Sequence, residues 1–280
     1  MKIGEVEIDL LCDGVAFTDG GGMFGLVPRV MWEKKHPADE LNRVKMLMNF
    51  LLIRDGEHNI VVDTGYGSKL NPRTRELLGL TETGRLPALL IEHGLDVSQI
   101  DLVINTHLHA DHCGGDTVRQ GERIVPTFPN ATYIVQGREW DAAINTNERT
   151  RATYLPENFL PVQEAGRLQL IEGDTQITPQ VRCMLTTGHD SSHQSVLIES
   201  DGQKAFYLAD LAPYAVHIER LAWVPSYDLD PMGTIDTRRR IQKWAIDEHV
   251  LLIFDHDPEI GMGYLHNDSG RYRVEPVDSD

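Results

Sequence analysis

A layered α/β domain is what the sequence predicts, and three observations carry that prediction. Short aliphatic runs bounded by Gly, Asp and Pro recur along the 280 residues, as strands separated by turns do. Two of these runs, Leu102-Val103-Ile104 and Thr132-Tyr133-Ile134-Val135, are apolar without alternation, which fits strands buried on both faces beneath helices. A segment over about 234–248, with Ile241, Trp244 and Ala245 on one face, then feeds another apolar run at 250–254, as a helix leading into a strand does.

Taken in order, the segment Asp19-Gly20-Gly21-Gly22-Met23-Phe24-Gly25, Trp32 and the charged stretch 33–43 lack periodicity. They predict a surface excursion over about 18–45, of the kind that often covers a site. Residues 49–53 and 59–63 flank Asp55-Gly56, and residues 195–198 and 205–208 flank Asp201-Gly202. Each set predicts a hairpin, with Gly supplying the positive φ of the turn. A helix is expected over 86–91, stopped by Gly94. No repeat, low-complexity tract or linker marks a boundary, so residues 1–280 are expected to form a single domain.

Charge and cysteine content narrow the partners. Lys+Arg total 26 against 43 Asp+Glu, a net charge of −17, which opposes phosphate backbones and argues against nucleic acid. The cysteines Cys12, Cys113 and Cys183 are odd in number and unpaired in spacing; neither a disulfide framework nor a thiolate zinc site is expected, and a reducing compartment suits them. The start, Met1-Lys2-Ile3-Gly4-Glu5-Val6-Glu7, brings acidic residues where an export signal needs a basic start. No apolar run approaches the ~20 residues of a membrane span. A cytoplasmic protein without a membrane partner is expected.

The chemistry sits directly after the strand at 102–104, in Asn105-Thr106-His107-Leu108-His109-Ala110-Asp111-His112-Cys113-Gly114-Gly115. Three histidines at prescribed positions arise by chance at roughly one start in ten thousand. His107 and His109 project to one side of an extended segment. Asp111 and His112 come next, where Gly114-Gly115 lets the chain turn tightly into a helix, so two ligand sets can point at neighbouring places. Further candidates close later predicted strands: His189 after 181–185, Asp210 after 206–209, and His256 after 250–255. Strand ends are where α/β folds place their ligand sites.

Here the sequence resembles the metallo-β-lactamase superfamily, whose His-x-His-x-Asp-His motif is matched by His107, His109, Asp111 and His112. Its later ligands are matched by His189, Asp210 and His256, and Val62-Asp63-Thr64-Gly65 looks like its short motif after an early strand. The resemblance implies a four-layer αββα sandwich. It also implies a first metal on His107, His109 and His189, a second on Asp111, His112 and His256, and Asp210 bridging them. Five imidazoles and two carboxylates suit Zn2+, while Fe, Mn or Co accept the same donors; two zinc ions per chain are expected. The early excursion and Phe254-Asp255-His256-Asp257-Pro258 look most like the quorum-quenching lactonase branch and its organophosphate-degrading relatives. The chain departs from that branch at Gly188-His189-Asp190-Ser191-Ser192-His193, where members carry Gly-His-Thr-Pro-Gly-His, and in the Leu211-Ala212-Pro213 that precedes Tyr214.

The expected activity is that of a dinuclear hydrolase in which a shared, metal-bound hydroxide opens an ester-like bond, a lactone before other substrates. Phosphotriesters and thioesters are alternatives, and a non-catalytic protein braced by metal is the rival from another class. A glyoxalase II-like thioesterase ranks lower because the tail, 267–280, is short and mixed in charge. Asp111 is the candidate proton relay and Tyr214 the candidate donor to a substrate carbonyl. Met23, Phe24 and Trp32 are expected to wall the pocket, with Tyr214 and His217 also reaching substrate, and exposed early-loop aromatics would support a homodimer. Asp63 is expected to accept a hydrogen bond from a ligand imidazole, His193 to act by hydrogen bonding, Cys113 to fill space, and His36, His58, His93, His249 and His266 to lie on the surface.

Overall fold

The computed structural model describes residues 1–277. One seven-stranded sheet contains β1 (Lys2–Ile3), β2 (Val6–Asp19), β3 (Arg43–Arg54), β4 (Asn59–Val62) and β5 (Leu102–Ile104). After a separate hairpin of β6 (Thr117–Gln120) and β7 (Arg123–Pro126), the sheet resumes with β8 (Thr132–Gln136) and β9 (Leu168–Ile171). The second sheet runs in chain order through β10 (Thr175–Gln176), β11 (Val181–Leu185), β12 (Gln194–Ser200), β13 (Gln203–Tyr207), β14 (Leu251–Ile253), β15 (Met262–Asp268) and β16 (Arg271–Pro276).

Strand alternation explains the layers. Ile60, Val62, Ile104 and Ile134 of the first sheet meet Val196, Ile198, Ala205, Tyr207, Leu251 and Ile253 of the second in one central core. The intervening residues face outward under helices, because successive side chains of a strand point to opposite faces. Val61, Val103 and Tyr133 pack beneath α4 (Leu86–Glu92), and Leu197, Phe206 and Leu252 pack beneath α8 (Ala215–Glu219) and α9 (Pro231–Asp247). The result is the αββα sandwich.

Both expected hairpins are present, β3–β4 with Ile53 opposite Ile60 and β12–β13 with Ile198 opposite Ala205. The parallel neighbours β4, β5 and β8 are buried on both sides, as their unbroken apolar runs implied. Helix α9 starts earlier than periodicity indicated: Pro231 occupies the first turn and the Asp230 carboxylate accepts from Gly233 N, two start signals that lie outside the apolar stripe.

The early excursion differs from the expected open loop. β2 and β3 pair from Glu7–Arg54 out to Asp19–Arg43 across a bulge between Cys12 and Val15, and α1 (Gly20–Phe24) and α2 (Arg29–Trp32) fill the interval. Gly20 is required there, since a Cβ would stand 2.4 Å from the Trp32 ring. No described helix is long and apolar enough to cross a membrane.

Candidate metal centre

Every candidate ligand leaves the end of a secondary-structure element. Beyond β5 the chain runs extended to His109, the N-cap of the one-turn α5 (Ala110–Cys113) that carries Asp111 and His112. The turn into this helix precedes Gly114 and Gly115, contrary to the role expected of them. Their lack of a side chain serves close approach: a Cβ on Gly115 would lie 2.3 Å from the Thr64 carbonyl oxygen and one on Gly114 2.4 Å from that of Tyr66. His189 comes after β11, Asp210 occupies a tight turn after β13, and His256 comes after β14.

These side chains converge as two groups, and the ligand atoms within each lie within 4.8 Å of one another. In the first, His109 Nδ1 is 3.0 Å from His107 Nε2 and 3.1 Å from His189 Nε2. Asp210 Oδ2 is 3.2 Å from His189 Nε2 and 3.8 Å from His107 Nε2. In the second, His112 Nε2 and His256 Nε2 are 3.3 Å apart and face Asp210 Oδ1 at 3.6 and 3.4 Å. Asp210 thus presents one oxygen to each group. Asp255 completes the second group, its Oδ2 3.2 Å from His256 Nε2. Asp111 sits at the rim, 21% exposed, with Oδ2 3.9 Å from both His112 Nε2 and His256 Nε2.

A further shell of hydrogen bonds fixes which ring nitrogen faces inward. His112 Nδ1–H donates to Asp63 Oδ2 at 3.0 Å, His189 Nδ1–H to Asp228 Oδ1 at 3.1 Å, and His256 Nδ1–H to the Leu47 carbonyl at 2.7 Å. The Thr106 hydroxyl donates to Asp63, so it accepts from His107 Nδ1–H at 3.1 Å. Carboxylates and carbonyls only accept, so Nδ1 of each of these rings bears hydrogen and Nε2 is the nitrogen that would offer its lone pair to a cation. Asp63 reaches this position with φ +59, a left-handed conformation that aspartate tolerates better than most residues. The Glu139 carboxylate accepts from Leu108 N, the peptide between His107 and His109, at 2.8 Å.

The electrostatics divide the rings into two kinds. Burial and neighbouring imidazoles hold His107 and His109 far below the usual histidine range. Burial also opposes charge on His189 and His256, yet the carboxylates of Asp210 and Asp228 around the first, and of Asp255 and Asp210 around the second, push each up to about 9. Asp210 lies well below the carboxylate range because His189 and His112 outweigh its burial. The Asp210 and Asp255 carboxylates draw positive charge into this cluster, supplied here by protons on the imidazoles, and Asp210 Oδ1 lacks a hydrogen-bond partner. The nitrogen and oxygen donors present fit a pair of divalent cations.

Other predicted residues lie elsewhere. Met23, Phe24 and Trp32 are buried with Tyr214, Val216 and Trp223 in one packed cluster, so they do not form an open pocket wall here. Tyr214 is fully buried and its hydroxyl donates to the Lys45 carbonyl at 2.6 Å. His217, also buried, accepts from Tyr214 N and sits 3.2 Å from the Met23 carbonyl. Neither is held toward the ligand groups by these bonds. His36 is not on the surface but half-buried, its ring stacked on Phe24 at 5.3 Å. His193 bonds the Thr186 hydroxyl at 2.9 Å, and Cys113 is buried with its thiol on the Leu108 carbonyl. Sequence reasoning missed Asp228, Asp255 and Glu139 as partners of the site.

Two nitrogen–carboxylate groups sharing one aspartate, at strand ends of an αββα sandwich, define the class, and residues 48–256 match the model of the metallo-β-lactamase superfamily. The chain belongs to that superfamily. It is 29% identical over 180 residues to the N-acyl homoserine lactonase AiiA of Bacillus thuringiensis subsp. kurstaki, covering 64% of this chain and 65% of that one. It is 26% identical to the N-acyl homoserine lactonase AttM of Rhizobium radiobacter over 59% of this chain and 61% of the relative. The matched region thus spans less than two thirds of the length of these curated relatives. Among solved structures, a probable metal-dependent hydrolase from Staphylococcus aureus superposes with TM-score 0.90 at 31% identity, covering 99% of both chains. The dizinc quorum-quenching lactonase AidC superposes with TM-score 0.83 at 22% identity over 99% of this chain and 96% of that one, a likeness of fold.

Proposed function

We propose that this protein is a dinuclear metal-dependent hydrolase that opens an ester-like bond, with a lactone as its preferred substrate. The observation that carries the reading is Asp210, whose two oxygens face two separate groups of imidazoles. His107, His109 and His189 would hold one cation, and His112 and His256 with Asp111 the other, Asp210 serving both. When bound, such ions polarise a carbonyl and lower the pKa of water toward neutrality. Zinc suits the donors best; Fe, Mn and Co are the alternatives.

The chain's own residues supply the rest. Asp111 stands at the exposed rim, where its carboxylate takes a proton from attacking water and returns it to the leaving alkoxide. Asp63, Asp228 and the Leu47 carbonyl keep the imidazoles oriented. No thiol nucleophile is needed, and Cys113 is buried with its thiol engaged. A lactone is favoured because the matched relatives are named as lactonases. The exposed Leu26, Val30, Met31 and Leu41 would be covered in a homodimer, which light scattering tests.

The deciding experiment is hydrolysis of lactones, thioesters, phosphotriesters and RNA by metal-loaded wild type and Asp111→Asn. Lactone turnover, lowered about 10²- to 10⁴-fold in Asp111→Asn, supports the reading. Cleavage of RNA alone overturns it, and bound metal without turnover on any substrate favours a metal-braced binding protein.

A further inference from the structure

We propose that Asp255 is a ligand of the second metal position, adding a carboxylate oxygen to His112, His256 and the shared Asp210. The inference rests on the dinuclear reading of the site and departs from the ligand set that the motif implies. Asp255 is fully buried, and neither of its carboxylate oxygens has a hydrogen-bond partner. Its Oδ2 lies 3.2 Å from His256 Nε2, the inward nitrogen of a ring whose Nδ1–H is held by Leu47.

The contrast with neighbouring buried carboxylates makes this informative. Asp63 accepts from Thr106 and His112, Asp116 from Thr64 and Asn105, Asp228 from His189 and Thr234, and Glu139 from Leu108 and Ser192. Each has donors that offset its loss of water. A buried carboxylate is tolerated when it is paired, hydrogen-bonded or on a metal, and Asp255 shares its 4.8 Å group with three other ligand atoms. Metal ligation through Oδ2 would give the carboxylate a cation in place of the missing donors.

The assignment makes the second position, which Asp111 and Asp210 already serve, richer still in carboxylate. The first is built from three imidazoles and one carboxylate, the second from two imidazoles and at least two carboxylates. The second is therefore the harder site and discriminates less strongly for Zn2+ against Mn2+ than the first does. Asp111, at the rim, is left with an oxygen available for proton transfer.

The test compares wild type with Asp255→Asn in two readouts that need no turnover: bound ions per chain under increasing chelator and the absorption spectrum of the cobalt-substituted protein. Wild type holding two ions, with the variant releasing one of them at about 10- to 100-fold lower chelator concentration and an altered cobalt spectrum, supports the proposal. Two ions held equally by both proteins with the same cobalt spectrum overturns this assignment alone. Wild type binding one ion or none overturns it together with the dinuclear reading.

Discussion

His189 and Asp228, 39 positions apart in the chain, form a buried hydrogen bond of 3.1 Å, and Asp228 is itself held by the Thr234 hydroxyl at 2.7 Å near the start of α9. The bond fixes the tautomer that turns His189 Nε2 toward Asp210. Asp228→Ala should weaken the first metal position about 10- to 100-fold, whereas Asp228→Asn, which keeps an acceptor oxygen, should retain most of the affinity. Chelator competition measures both. Equal affinity in the alanine variant would show that the bond does not orient His189.

Asp63 plays the corresponding part at the second position, accepting from His112 and from both the backbone and hydroxyl of Thr106. Removing it leaves several buried donors unpaired. Asp63→Ala is expected to lower both metal affinity and stability, the latter by several kcal/mol, since each orphaned buried donor costs about 1–3 kcal/mol. Urea unfolding of the metal-free protein separates the two effects. A variant as stable as wild type would contradict the network.

Tyr214 donates to the Lys45 carbonyl from within the core. Tyr214→Phe should therefore cost about 1 kcal/mol of stability and leave kcat on lactones unchanged. A large fall in kcat with an unchanged Tm would instead place the phenol at the substrate, as the chain position after Asp210 first implied.

The buried early excursion makes stability sensitive to acid. Burial against Phe24 and Tyr214 lowers His36 to about 4 from an ordinary 6.5, so unfolding takes up a proton between those values. The stability from keeping His36 neutral is complete above pH 6.5 and is lost as pH falls toward 4. Wild type should lose about 2 kcal/mol more than His36→Gln between pH 7.5 and 5. Denaturant titration at the two pH values gives the comparison; parallel losses would mean that His36 is protonated in the folded state.

The features legible in the sequence were local ones. Asp55-Gly56 and Asp201-Gly202 mark their hairpins because the turn chemistry lies within a few residues, and the motif from His107 to His112 is compact enough to be read as one string. Asp228 and Glu139 were not legible, because their partners His189 and Leu108 lie 39 and 31 positions away and no spacing rule links them. Asp255 was visible beside His256, but only its missing hydrogen bonds distinguish it from a turn residue. The early excursion misled for a different reason. Gly14 and the bulge in β2 interrupt its alternation, and the three glycines after Asp19 resemble an open loop until Gly20 is seen packed under Trp32.

Anomalous diffraction from crystals of the zinc-loaded protein tests the dinuclear centre most directly. Two peaks about 3.5–4 Å apart, one beside His107, His109 and His189, the other beside His112 and His256, with Asp210 between them, is the predicted result. A single peak, or ions bound away from Asp210, would contradict it.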